Sequence, residues 1–357
     1  MKVLSLFDGI SCARVALNRA GIKVEKYFAS EIDKHAITIA QKNFQDTIQI
    51  GDIKNIKCYP ERKYLCFDSE NGHYGYTTKI DLLIGGSPCQ DLSVAKIGRQ
   101  GLKGSRSGLF YEYVRVLKEV KPKWWILENV ASMRQSDKDE ITKELGVEPI
   151  MIDAAMVSAQ SRKRLFWTNI PGVTQPEDRH IYLKDVIESG YIKDEKSMTI
   201  TASYANGAYP QNIGTHRERT VVFNKPIRIG TVKGTKGGQG DRIYSIEGKS
   251  VTLSANGGGR GAKTGLYTVD FYNKKVRSDG KSKTLGTNPQ CTTAIAGQAI
   301  TDLKRFVRKF TPKECERLQC LPDDYTEGIS NTQRYKAIGN GFNVEVIAHI
   351  LSFIPKK

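Results

Sequence analysis

The chain of 357 residues carries 55 Lys+Arg against 38 Asp+Glu, a formal net charge of +17, and is 39% hydrophobic. None of its apolar runs approaches the roughly 20 residues of a membrane span, and its apolar start is interrupted by Asp8 too early for a signal peptide, so a soluble cytoplasmic protein without a membrane partner is expected. Seven cysteines with no Cys-x-x-Cys pair and five scattered histidines argue against a disulfide framework or a metal site, while a basic excess of this size fits a polyanionic partner, most simply nucleic acid.

Along residues 1–170, strand and helix patterns alternate. A short apolar strand, 3–7, breaks at Asp8-Gly9, and a helix with apolar spacing at Ala13, Ala16, Leu17 and Ala20 stops at Gly21, a suitable left-handed cap. A second strand, 24–30, ends at Glu31; a helix, 33–43, leads to a third strand, 47–50, and Asp52. Further strands are predicted at 81–85 and 124–127, with a helix at 108–120 between them. Strands alternating with helices imply βαβ units and a mostly parallel sheet.

Beyond residue 170 the composition shifts. Residues 171–305 hold 18 of the 33 glycines and a net charge of +9, from 21 Lys+Arg and 12 Asp+Glu. Short β-like runs appear at 220–223, 227–230 and 242–246. Lys-Ser-x-Thr followed by Ile or Leu recurs at 196–200, 249–253 and 281–285, which reads as a strand-and-turn module used three times. The spacing is irregular, so this is not a solenoid. Helical spacing returns at 312–320 and 342–353.

Three strand ends carry acids. Asp8-Gly9 follows the first strand, Glu31 lies 22 residues beyond Gly9, and Asp52 follows the third strand. An acid near that spacing accepts hydrogen bonds from ribose hydroxyls. The Gly-x-Gly-x-x-Gly fingerprint for a pyrophosphate is missing, so the pattern suits a nucleoside without phosphates, such as S-adenosylmethionine. Cys89 sits where the 81–85 strand breaks into Gly85-Gly86-Ser87-Pro88, the strand end at which open α/β folds place ligands. A lone cysteine is ordinarily a small buried hydrophobe; the surrounding motifs decide otherwise.

Five segments occur in order: Phe7-Asp8-Gly9, Gly85-Gly86-Ser87-Pro88-Cys89-Gln90, Leu127-Glu128-Asn129-Val130, Gln160-Ser161-Arg162-Lys163-Arg164, and Arg334 to Phe342. The set resembles the DNA cytosine-5 methyltransferases of bacterial and phage type over nearly the whole chain, leaving 57–79 and 171–305 without a motif match. The resemblance implies a Rossmann-like class I methyltransferase α/β sheet with helices on both faces, plus a smaller β-rich target-recognition domain. Residues 1–170 would be the catalytic and cofactor domain, 171–305 the recognition domain, and 306–357 a return segment completing the first. It implies Cys89 as the nucleophile that attacks carbon 6 of a flipped-out cytosine, as a thiolate. Glu128 would be the acid that protonates ring nitrogen 3, as a carboxyl in a poorly solvated cleft can. Of Arg162 and Arg164, one would contact the base oxygen and the other hold the catalytic loop or backbone. S-adenosyl-L-methionine, leaving as S-adenosyl-L-homocysteine, would lie against Phe7, Asp8 and Gly9, with Glu31 on the ribose and Asp52 on adenine. Ile32 and Ile53 would sandwich the adenine, and Asn340 would close the pocket.

The partner so implied is double-stranded DNA, bound by a monomer; a cognate restriction endonuclease acting on the same site is left open. Gln90 and the loop cations Arg99, Lys103 and Arg106 would meet the DNA beside the target base, while Arg242 and Arg260, each in a glycine-rich loop, would read base edges. Ser-Pro-Cys-Gln-Asp around Cys89 departs from the Pro-Pro-Cys-Gln-Pro of many bacterial members and leans toward the branch that includes the animal de novo enzymes and some bacterial and phage ones. The chain begins at the first strand, so their accessory chromatin domains are not expected. Two other readings remain: the tRNA-methylating relative, disfavoured by the long glycine-rich segment, and a catalytically silent DNA-binding regulator, disfavoured by Cys89, Glu128 and both arginines.

Overall fold

A computed structural model describes residues 1–59, 64–69, 72–77, 79–88, 109–190, 192, 194–204, 220–223, 228–231, 242–244, 269–270, 275–276 and 307–355, some of these by backbone alone. Cys89, Gln90, Arg99, Lys103, Arg106 and Arg260 lie outside the described residues, and Arg242 is described by its backbone.

In chain order the first part consists of β1 (Lys2–Leu6), α1 (Cys12–Arg19), β2 (Lys26–Ser30), α2 (Lys34–Asn43), β3 (Ile48–Gln49), β4 (Ile56–Tyr59), β5 (Tyr64–Ser69), β6 (Gly72–Thr77), β7 (Leu82–Gly86) and α3 (Leu109–Val120). It continues with β8 (Trp124–Val130), α4 (Gln135–Leu145), β9 (Ile150–Asp153), β10 (Lys163–Thr168) and α5 (Leu183–Val186). Seven strands make one sheet in the order β3-β2-β1-β7-β8-β10-β9. The first five run parallel, and β10 is antiparallel to both β8 and β9.

Successive strand residues are apolar because both faces are covered. Val3, Tyr27, Leu82 and Ile126 enter one core, which α1 and α2 also line, while Leu4, Phe28, Leu83 and Leu127 enter the other with Phe110 and Tyr113 of α3 and Ile141 of α4. The 57–79 tract, for which the sequence suggests no role, contributes most of a separate antiparallel sheet, β4-β5-β6. Tyr76 of β6 packs edge-on against Phe28, ring centres 5.3 Å apart, which anchors this sheet on β2.

The chain divides into two compact units. One comprises 1–186, 196–204 and 311–357, the other 187–195 and 205–310. Within the second unit the described strands form three antiparallel pairs: Val222–Phe223 (β11) with Val307–Arg308 (β16), Arg228–Thr231 (β12) with Arg242–Tyr244 (β13), and Val269–Asp270 (β14) with Lys275–Val276 (β15). The return segment forms α6 (Pro312–Leu318), α7 (Asn331–Asn340) and α8 (Val344–Ser352). Thr311 and Glu314 make a reciprocal capping box at α6, and Asn343 caps α8, which supplies Val346, Ile347 and Ile350 to the same core as α1.

Candidate active site

The chain leaves β1 through a turn in which Phe7 (φ 55°), Gly9 (φ 60°) and Ser11 (φ 59°) are left-handed. Only glycine adopts that conformation freely, so Phe7 and Ser11 need outside support. Asp8 provides part of it. Its carboxylate, 4% exposed, accepts hydrogen bonds from Ser11 Oγ and Tyr27 Oη, each at 2.6 Å, and its amide donates to the Ser30 carbonyl at 3.0 Å. Burial pushes the Asp8 carboxyl up to about 6, against the pull of the Ser11, Ser5 and Tyr27 hydroxyls.

Glu31 ties the end of β2 to the same turn. It accepts the Gly9 amide on one oxygen and the Ile32 and Asp33 amides on the other, all at 2.8 Å. Asp52 caps the single helical turn Ile53–Asn55, accepting the Lys54 amide at 3.0 Å. These ends open on a cavity of about 450 Å3 whose wall includes Phe7, Gly9, Glu31, Ile32, Asp52 and Ile53. Ile32 is 71% exposed, an apolar surface offered at the cavity rather than to the core. Across the rim, Lys336 of α7 reaches Asp33, the cap of α2, at 2.7 Å.

The opposite wall holds Pro88, Glu128, Arg162, Arg164 and Asn340. Gly86 pairs with Glu128 in the β7–β8 ladder, so Ser87 and Pro88 leave the sheet beside the acid. Arg164 opposes Val130, two positions from Glu128 on the neighbouring strand, where diagonal side chains share a face. Its Nε meets Glu128 Oε1 at 2.8 Å, with the two side chains 16% and 13% exposed.

Arg162 is buried and does different work. Its guanidinium donates to the carbonyls of Ile200 (3.1 Å), Gly339 (3.3 Å) and Gly341 (3.0 Å), joining β10, the 196–204 segment and the end of α7. The first Lys-Ser-x-Thr copy thus packs within the first unit. Lys196 Nζ donates to the Ala155, Ser158 and Ile181 carbonyls at 2.8, 3.2 and 2.7 Å, and Thr199 Oγ1 to Ser161 at 2.7 Å. The copies at 249–253 and 281–285 lie outside the described residues.

Gly339 carries the closest contact of this assembly. A Cβ there would stand 2.3 Å from the Thr201 carbonyl carbon and 2.4 Å from the Ala202 nitrogen. Backbone cannot step aside as a side-chain tip can, so Gly339→Ala is expected to cost about 3 kcal/mol of unfolding free energy. Urea unfolding of the variant against the wild type checks this.

The family model for C-5 cytosine-specific DNA methylase matches residues 1–356. The chain belongs to this family. The cytosine-5 methylase is 28% identical to the type II methyltransferase M.HhaI of Haemophilus parahaemolyticus, over 98% of this chain and 93% of that protein. It is 25% identical to the orphan methyltransferase M.SPRI of Bacillus phage SPR, over 98% and 96%. Its fold matches that of the Entamoeba histolytica methyltransferase EhMeth, with a TM-score of 0.59 at 15% identity, covering 99% of this chain and 97% of that one. The Spodoptera frugiperda DNMT2 structure gives a TM-score of 0.58 at 18% identity, with 99% of both chains covered. The sheet and its flanking helices are those of a Rossmann-like class I methyltransferase.

Membership makes the methylase a DNA cytosine-5 methyltransferase and implies S-adenosylmethionine as its methyl donor. The cavity's donor set fits that molecule. Glu31 and Asp52 offer carboxylate acceptors to hydroxyl and amino groups, and exposed Ile32 offers an apolar face to a ring. Among the described residues no group of His, Cys, Asp and Glu could hold a metal ion, and no helix is long and apolar enough to cross a membrane.

Phe7, Gly9, Glu31, Ile32, Asp52, Ile53, Glu128, Arg162, Arg164 and Asn340 line one cavity. Asp8 instead turns its carboxylate inward to Ser11 and Tyr27. The acid expected to protonate a base, Glu128, is held in an ion pair with Arg164. Sequence reading missed Ser30, Ser87, Leu109, Gln333 and Lys336 on the cavity wall. Ser87 and Lys336 had a signal, since they stand inside the recognised segments 85–90 and 334–342.

Proposed function

We propose that this methylase adds a methyl group to carbon 5 of a cytosine flipped out of duplex DNA, through a covalent bond between Cys89 Sγ and carbon 6. The observation that carries the proposal is that Pro88, Glu128 and Arg164 face the same cavity as Glu31 and Asp52. A base entering beside Pro88 is then within one enclosure with the methyl donor.

Cys89 thiolate adds to carbon 6, and the displaced electron pair moves into the ring as nitrogen 3 takes a proton from the neutral form of Glu128, whose other oxygen still accepts from Arg164. Arg164 orients Glu128 and faces the base oxygen. Arg162 acts through the backbone carbonyls it holds, as the positioning member of the arginine pair. Bound S-adenosylmethionine, held by Glu31, Asp52, Ile32, Ile53 and the Phe7–Gly9 turn, supplies the electrophilic methyl group. A base that the sequence does not identify, such as water, then removes the carbon 5 proton; the double bond re-forms, Cys89 leaves as thiolate, and nitrogen 3 returns its proton to Glu128. Flipping costs a few kcal/mol of stacking and pairing, which Arg99, Lys103 and Arg106 offset by pairing with backbone phosphates. The glycine-rich, basic segment 205–310 selects the target sequence, with Arg242 and Arg260 at base edges.

Tritiated methyl transfer from S-adenosylmethionine tests this reading. Incorporation into duplex DNA and not tRNA is expected; incorporation confined to tRNA would contradict it. Methylation-sensitive sequencing of the modified DNA then identifies the site.

A further inference from the structure

Sheet order determines which strand end the middle of the donor must cross. Asp52 follows β3 and Glu31 ends β2, whereas Pro88 and Glu128 belong to the β7 and β8 side; β1 lies between the two groups. A ligand whose nucleoside is held at Glu31 and Asp52, and whose methyl reaches the Glu128 side, must cross the end of β1. Phe7 and Gly9, both cavity-lining, would then be the residues nearest its sulfonium. Asp8 stands between these two residues in the chain, with its carboxylate turned into the interior.

We propose that Asp8 is a positioning and selectivity residue that acts without touching the ligand. Its buried carboxylate braces the left-handed turn through Ser11 and Tyr27, and it places a negative charge behind the cavity floor. That charge favours the cationic donor S-adenosylmethionine over its neutral thioether product. The proposal rests on the cofactor reading given above.

The cations around Asp8 are Arg162, whose charge acts on the neighbouring Cys12 thiol, and Arg14, stacked 5.2 Å over the Tyr27 ring and paired with Asp46. Tyr27 on β2 and Tyr325 of the return segment are phenols held neutral by burial, and burial pushes the Cys12 thiol of α1 up to about 12. Asp8's own charge adds to each of these shifts, and Glu31 adds a second negative charge nearby. A sulfonium is a further positive charge that the bound state would bring to this acidic floor. An ionised acid at this position also works against folding. Its carboxyl is raised from 3.8 to about 6 in the folded protein, so the stability it contributes is complete below the lower value and is lost as pH rises through the upper one. A residue present only to brace the turn has no need of that charge.

The test is Asp8→Asn, nearly isosteric and uncharged. Calorimetry at about pH 8 is expected to show S-adenosylmethionine binding weakened about tenfold and S-adenosylhomocysteine binding changed by less than about twofold. Thermal unfolding without ligand should place the variant no lower than the wild type at that pH. The variant's advantage should shrink as pH falls through about 6. Equal weakening of both ligands, or no change in either, would overturn the proposal. If Asp8→Asn does not fold, Tyr27→Phe keeps the acid but removes one donor. It should raise the pH below which the wild-type preference for the sulfonium disappears, and an unmoved pH would overturn the proposal. A wild type that binds neither ligand would contradict the cofactor reading instead.

Discussion

Cys89→Ser is expected to lower methyl transfer by about four orders of magnitude or more while leaving S-adenosylmethionine affinity within about twofold of the wild type. The size of the loss follows from the nucleophile. A thiol is partly ionised near neutral pH and strongly nucleophilic, whereas a serine hydroxyl needs an adjacent general base, and Glu128 is already committed to Arg164 at 2.8 Å. Cofactor affinity should survive because Glu31, Asp52 and the Phe7–Gly9 turn are built on other strand ends. Single-turnover transfer and calorimetry on the same preparation separate the two quantities. A residual rate within about tenfold of wild type would remove Cys89 from the mechanism.

Glu128→Gln is expected to slow transfer by about 10²- to 10⁴-fold, the range for loss of one positioned acid. Glutamine keeps the shape of the side chain, and its amide oxygen can still accept from Arg164 Nε. The fold and the cavity wall should therefore persist. What disappears is the proton offered to nitrogen 3, so kcat should fall while KM for S-adenosylmethionine holds. Measured kcat and KM for both substrates check this. A variant that loses cofactor affinity as steeply as rate would show that Glu128 supports the cavity and not the chemistry.

Glu31 is legible in the sequence because a parallel strand buried on both faces reads as an apolar run, and the first acid beyond it marks the carboxyl edge; Asp52 follows the short, half-buried edge strand β3 in the same way. The same rule brings Glu128 and Ser87-Pro88 to that edge. Asp8 illustrates its limit. A strand's alternation predicts which side chains face a ligand only while the backbone stays extended, and the left-handed Phe7 reverses the pattern at once. No residue-type signal announces a left-handed phenylalanine.

Other elements were hidden for different reasons. β10 starts with Lys163 and Arg164, and β9 spans four residues, so neither forms an apolar run of strand length. α7 buries only Tyr335, Ile338 and Gly339, too narrow a stripe to register as helical periodicity. Lys196 looks like one more surface cation in a basic segment, yet it is held by three carbonyls. Arg162 and Arg164 stand two residues apart in a shared motif, and only geometry separates them: one clamps backbone, the other faces Glu128.

Duplex DNA carrying 5-fluorocytosine at the methylated site offers the most direct test of covalent attack. Fluorine at carbon 5 cannot leave as the proton does, so expulsion of the thiolate is blocked. Attack by Cys89 predicts a denaturant-resistant protein–DNA adduct, formed only with S-adenosylmethionine present, whose crosslinked peptide contains Cys89. An adduct on another residue, or no adduct under conditions where ordinary cytosine is methylated, would contradict it.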